Sequence, residues 1–317
     1  VVFIAGSPTE PEAIIQFDFS SGELKKLRCS SEIRISKNYL SIPQNIDFQT
    51  EQGNTAYAFF YPPKNGKYRA PAKDRPPLLV VSHGGPTGST STMLNLNTQY
   101  WTSRGIGVLD VNYGGSTGYG RDYRQRLNGQ WGIVDVDDCV NGAKHLVQKG
   151  LVDENMVAIR GNSAGGYTTL AALTFRDTFN AGASYYGISD LEALAKETHK
   201  FESRYLDNLI APYPEKRDRY QQRSPIHHVH LLSHPIIFFQ GLEDEVVPPN
   251  QSEKMFKSLL KKGLPTAYVS FEGEEHGFRR AETIKRSLEG EYYFYSKIFN
   301  FKPAESIEEL QIENLDQ

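Results

Sequence analysis

The stretch Val157-Ala158-Ile159-Arg160-Gly161-Asn162-Ser163-Ala164-Gly165-Gly166 constrains this chain more than any other. A β-branched run suited to a buried strand ends in Gly-x-Ser-x-Gly, and a helix-forming run, Tyr167 to Phe175, follows at once. A strand that becomes a helix within so few residues passes through a sharp, strained turn. Ser163 sits at the tip of that turn with its hydroxyl exposed. Side chains at 161, 165 and 166 would collide with the strand or block the turn, so glycine is needed there.

A serine hydroxyl is a poor nucleophile at neutral pH. It needs a base, and the base needs an orienting acid. Residues 235–248 offer the acid: the apolar run Pro235 to Gln240 reads as a strand, and the loop after it holds Glu243, Asp244 and Glu245. A carboxylate just past the carboxyl end of a buried strand lies on the rim where open α/β sheets place their sites. Three acids compete for the role. Residues 267–278 offer the base, with a strand from Ala267 to Phe271 and then Glu272-Gly273-Glu274-Glu275-His276-Gly277-Phe278. His276 has both the chain order and the position after a strand that the role requires. His145 falls inside an amphipathic helix. His227, His228, His230 and His234 cluster around Pro225 and Pro235. A metal site is the competing reading of that cluster, but it precedes a strand and lacks mixed ligands at defined spacings, so no metal and no cofactor is expected.

The oxygen that gains charge during acyl transfer needs two donors. The amide of Ala164, next after the serine, is one. The other should come from an early strand-to-helix loop, and Ser82-His83-Gly84-Gly85-Pro86 after the apolar strand 78–82 fits; an ordinary glycine turn is its competing reading. The βα alternation from residue 78 onward predicts strands at 78–82, 106–112, 156–160, 181–186, 235–240 and 267–271. Helical patterns at 133–149, 251–262 and 292–301 lie between and after them. The fold class is therefore α/β, a mostly parallel sheet flanked by helices. Residues 1–50 differ: short strands at 1–4, 13–19 and 23–28 join through turns such as Ser20-Ser21-Gly22. The expected organisation is a β segment over 1–50, a catalytic domain over 51–301 and an acidic, fraying tail over 302–317.

Composition narrows the partners. Charged residues make up 23% and the net charge is −3, so nothing draws the chain to nucleic acid. The two cysteines, Cys29 and Cys139, give no disulfide framework and fit a reducing, cytoplasmic location. No apolar run approaches the roughly 18 residues of a membrane span.

The motifs together resemble the catalytic domain of the prolyl oligopeptidase family of serine peptidases, in its acylaminoacyl-peptidase and dipeptidyl-peptidase-like branch. They are Ser82-His83-Gly84-Gly85-Pro86; Val111-Asn112-Tyr113-Gly114-Gly115-Ser116-Thr117-Gly118-Tyr119-Gly120; Trp131-Gly132 with Asp135, Asp137 and Asp138; the Ser163 turn; Arg223-Ser224-Pro225; Gly241 to Pro248; and Glu275-His276-Gly277-Phe278. The resemblance implies an α/β-hydrolase fold, a Ser163-Asp244-His276 triad, and the amides of Gly85 and Ala164 as oxyanion donors. It implies peptidase action on short peptides. Two departures, Ala164 where an aromatic is frequent and Gly114 where an Arg is frequent, bear on the substrate pocket. Ile188, Leu191 and Val247 are candidates to line that pocket, with plain core packing as the competing reading of each. Members of the family carry a β-propeller before this domain, and residues 1–50 have room for part of one blade. The chain is thus expected to lack an N-terminal propeller and to expose strand edges that favour a homo-oligomer. An esterase using the same triad and a non-catalytic interaction domain are the alternatives.

Overall fold

The computed structural model describes residues 1–197, 200 and 202–315. Its main sheet has eight strands in the order β11-β10-β9-β8-β6-β7-β5-β4. The strands are β4 (Gln44–Gln49), β5 (Thr55–Tyr61), β6 (Leu78–Ser82), β7 (Gly107–Asn112), β8 (Val157–Asn162), β9 (Ala181–Tyr185), β10 (Ile236–Gly241) and β11 (Thr266–Phe271). From β7 through β11 every pairing is parallel, while β4 and β5 add an antiparallel edge. Strands covered on both faces read as continuous apolar runs, and all six residues of β10 are buried. The pleat divides them: Leu78 and Val80 join the core on one face, Leu79 the core on the other.

The helices are α1 (Leu96–Thr102), α2 (Arg121–Gln125), α3 (Val134–Gln148), α4 (Ala164–Phe175), α5 (Leu191–Glu197), α6 (Tyr205–Leu209), α7 (Arg217–Arg223), α8 (Asn250–Lys262) and α9 (Ala281–Ile298). Residues of α3, α4 and α8 fill one core, and residues of α1 and α9 fill the other. Helix α4 is buried almost all round, which its run of small and apolar residues permits. Helix α8 ends at Gly263, whose φ of 78° supplies the left-handed cap. Residues 198, 199 and 201, between α5 and α6, lie outside the described residues. The aromatics of the last helix serve packing: Tyr292, Phe294 and Tyr295 are buried. Among the described residues no helix is long and apolar enough to cross a membrane.

Strands β1 (Val2–Ser7), β2 (Glu10–Phe17) and β3 (Leu24–Cys29) form a separate antiparallel sheet. Its contacts with the main body include the Leu94 amide, which donates to the Ser7 carbonyl at 2.8 Å. Two features differ from the sequence reading. Residues 44–49, grouped there with the N-terminal segment, belong to the main sheet, where β4 pairs with β5 from Gln44 opposite Phe60 to Gln49 opposite Thr55. The tail, expected to fray, is docked as far as it is described. Ile307, Leu310 and Ile312 pack on the α9 side of the core, and Glu313 exchanges two backbone hydrogen bonds with Thr266 at 2.8 and 3.0 Å. Its apolar residues are spaced among acids, so the acidic composition hid a strip that the edge strand β11 can pair with.

Candidate active site

Three loops at the carboxyl ends of β8, β10 and β11 bring Ser163, Asp244 and His276 together. Ser163 lies between β8 and α4 at φ 53° and ψ −119°, a strained conformation for a non-glycine residue. The turn closes only because its neighbours lack side chains. A Cβ on Gly161 would stand 2.2 Å from the Gly165 carbonyl oxygen, and one on Gly165 would stand 2.0 Å from that of Ser82. The Ser163 amide donates to the Tyr185 carbonyl at 2.9 Å, which ties the turn to β9.

His276 Nε2 lies 2.9 Å from Ser163 Oγ, and Nδ1 lies 2.8 Å from Asp244 Oδ2. Because Asp244 accepts, Nδ1 carries the proton and Nε2 is left free to accept the serine proton. The Asp244 side chain is fully buried, and its other oxygen accepts the amides of Val246 and Val247 at 2.9 and 2.8 Å. Glu243 and Glu245 are exposed, so the loop turns one of its three acids inward and two outward. Glu274, two residues before the histidine, is buried and accepts the amides of Arg279 and Arg280 at 2.9 and 3.0 Å, which pins the loop around His276.

The loop after β6 faces the serine from the other side. Gly85 has φ 123°, and a Cβ there would meet the Gly88 amide nitrogen at 2.7 Å. The amides of Gly85 and Ala164 have no acceptor among the described residues. The loop is held rigid by His83 and Tyr113. The His83 Nδ1–H donates to the Gly84 carbonyl at 2.8 Å, and Nε2 accepts the Ser116 hydroxyl at 2.7 Å. The Tyr113 ring stacks on the imidazole at 4.2 Å, and its hydroxyl lies 2.8 Å from the Pro86 carbonyl. Burial pushes the His83 imidazole down to about 4, so it stays neutral.

A cleft of about 300 Å³ opens beside Ser163, Ala164, Gly85 and His276. Ile188 and Val247 line it, as do Trp131, Leu194, Tyr205, Leu206 and Val246. Leu191 is not among the lining residues; it is fully buried in the core, one helical turn from Leu194. The sequence reading singled out Trp131 without giving it a place. Its position is set by Asp135, which accepts the Gly132 amide at 2.6 Å and the Thr168 hydroxyl of α4 at 2.5 Å. Tyr205, the first residue of α6, is marked by no sequence motif. Its hydroxyl reaches the Gly85 carbonyl at 3.2 Å and the Thr87 hydroxyl at 3.0 Å, tying α6 to the loop after β6. No local pattern marks a residue whose partner lies so far away in sequence.

The model of the prolyl oligopeptidase family matches residues 92–302. Dipeptidyl aminopeptidase BIII of Pseudoxanthomonas mexicana is 30% identical over 287 residues, 87% of this chain and 41% of that protein. The acylamino-acid-releasing enzyme of Arabidopsis thaliana is 31% identical over 223 residues, 67% of this chain and 29% of that protein. A solved puromycin-hydrolyzing peptidase of Mycobacterium tuberculosis superposes with a TM-score of 0.96 and 47% identity, over 98% of this chain and 47% of its own. The chain thus spans less than half the length of these proteins. With an α/β-hydrolase sheet, a serine on the turn after β8 and a family match over most of the main domain, the chain belongs to the prolyl oligopeptidase family of serine peptidases.

Proposed function

We propose that this chain hydrolyses short peptides through an acyl-enzyme on Ser163, cutting after a residue with an apolar side chain. The observation that carries the reading is the pair of contacts at 2.9 and 2.8 Å that links Ser163 through His276 to Asp244. Ser163 Oγ attacks the peptide carbonyl carbon while His276 Nε2 takes its proton. Asp244 holds the imidazole in the tautomer that can accept it. The carbonyl oxygen gains negative charge and is met by the amides of Ala164 and Gly85, the first of which opens α4 at its positive end. His276 returns the proton to the leaving amine, and water repeats the sequence on the ester. The apolar walls of the cleft, Trp131, Ile188, Leu194, Val246 and Val247, receive the side chain N-terminal to the cut bond. The two cysteines are unpaired, in keeping with a reducing compartment.

An esterase reading uses the same groups, since an ester leaves without needing the proton. The test is turnover of phenylalanyl anilide, phenylalanyl-glycyl-glycine and p-nitrophenyl esters by the wild type and Ser163→Ala, with a fluorophosphonate probe reporting the serine. Peptide and anilide cleavage abolished with probe labelling in Ser163→Ala supports peptidase action. Ester turnover with no amide turnover makes the chain an esterase, and labelling that survives in the variant removes Ser163 from the mechanism.

A further inference from the structure

The last residue before the α5 loop, Tyr186, has a backbone φ of 37°, a left-handed conformation that a tyrosine adopts only under constraint. Strain of this kind persists where surrounding contacts over-determine it, and Tyr186 has contacts to β10, to the His276 loop and to Asn162. Its amide donates to the Phe239 carbonyl of β10 at 2.7 Å, on the strand that leads into the Asp244 loop. Its neighbour Tyr185 accepts the Ser163 amide at 2.9 Å. Its ring meets the His276 ring at 4.9 Å with an interplanar angle of 65°, and the Phe278 ring at 5.3 Å and 79°. The Asn162 side chain of the serine turn interacts with its hydroxyl.

We infer that Tyr186 is a positioning residue that holds the His276 imidazole in line between Asp244 and Ser163. Two hydrogen bonds fix the ends of the imidazole, but both can swing about the side-chain torsions, and the His276 side chain is 22% exposed on its open side. The Tyr186 ring is a rigid wall on the other side. The left-handed backbone delivers it there: with ordinary strand geometry the side chain at the end of β9 would follow the pleat instead of turning to the histidine. Phe278, two residues beyond His276, backs the tyrosine ring, so the wall is supported from behind. Displacement of a reacting group by about 1 Å is enough to cost on the order of 100-fold in rate, while substrate binding in the cleft is untouched, because Tyr186 does not line it.

The role rests on Ser163 and His276 acting as nucleophile and base, and not on which amide or ester is the substrate. The experiment compares Tyr186→Leu and Tyr186→Phe by steady-state kinetics, by the rate of fluorophosphonate labelling at Ser163, and by thermal melting. Tyr186→Leu is expected to lower kcat and the labelling rate in parallel by about 10- to 100-fold with KM within about twofold. Tyr186→Phe, which keeps the ring, should recover most of that loss. A folded Leu variant with kcat within threefold of wild type, or a loss carried by KM, overturns the inference. So does an equal loss in the Phe variant, which would assign the effect to the hydroxyl and Asn162 and keeps the inference refutable if the Leu variant does not fold. Absence of labelling in the wild type itself would instead refute the proposed nucleophile.

Discussion

Replacement of Asp244 by asparagine isolates what the buried carboxylate contributes. The two oxygens have different partners: Oδ1 accepts two backbone amides at 2.8 and 2.9 Å, and Oδ2 accepts His276 Nδ1–H at 2.8 Å and, more weakly, the Gln240 side-chain amide at 3.4 Å. An asparagine must keep its oxygen on the two amides, because reversing it would set an NH₂ group against two N–H donors and forfeit two hydrogen bonds of about 1 kcal/mol each, besides stranding the donors. The NH₂ group therefore faces Nδ1, which must give up its proton and accept. The imidazole proton moves to Nε2, which now donates toward Ser163 instead of accepting from it. The imidazolium formed during attack also loses the negative charge that stabilises it. The fold should survive, since side-chain volume and the backbone contacts are retained, while kcat falls on the order of 10⁴-fold, or ~5 kcal/mol of transition-state stabilisation. The assay is peptide or anilide turnover beside a thermal melt, with Glu243→Gln and Glu245→Gln as controls. Both controls are exposed and should stay within a few-fold of wild type. A folded Asp244→Asn enzyme within tenfold of wild type, or a control more damaged than it, would show that Asp244 does not set the tautomer of His276.

Three further outcomes are expected. The His83 imidazole, pushed down to about 4 by burial, binds a proton in the unfolded chain that it refuses in the folded one; its contribution to stability is full above the unfolded value of about 6.5 and is lost as pH falls toward 4, by up to about 3 kcal/mol. Chemical denaturation from pH 8 to 4 should show that slope, and His83→Gln should flatten it. Leu191→Ala should lower stability by about 2–5 kcal/mol and leave KM within twofold, because Leu191 is core and not cleft; a raised KM at unchanged stability would place it in the pocket after all. The β1–β3 sheet exposes Val2, Ile4, Ile14 and Leu24, so the chain should associate more, by light scattering, than a version lacking residues 1–35; equal masses would show that the sheet recruits nothing.

Much of this protein is legible along the chain because the relevant signals are local. The strand before Ser163 and the helix after it are written in residue type and in the glycines at 161, 165 and 166. Each of the six strands expected from residue 78 onward lies within a residue or two of one in the main sheet, since buried parallel strands are short continuous apolar runs. The order of Ser163, the acid loop and His276 follows from the same runs. Other features depend on partners far apart in sequence. Nothing local separates Glu243, Asp244 and Glu245; the amides of Val246 and Val247 and the ring of His276 turn one of them inward. Nothing local shows that 44–49 pairs with β5 at the sheet edge, or that Glu313 pairs with Thr266. Leu191 and Leu194 have the same chemistry and both are buried in the core, and only the seating of α5 lets Leu194 also line the cleft. Tyr186 reads as an ordinary strand end until three loops close around it. A pattern of residue types encodes which face is buried and where the chain must turn, but which side chain meets which across the sheet depends on the packing of every segment between them.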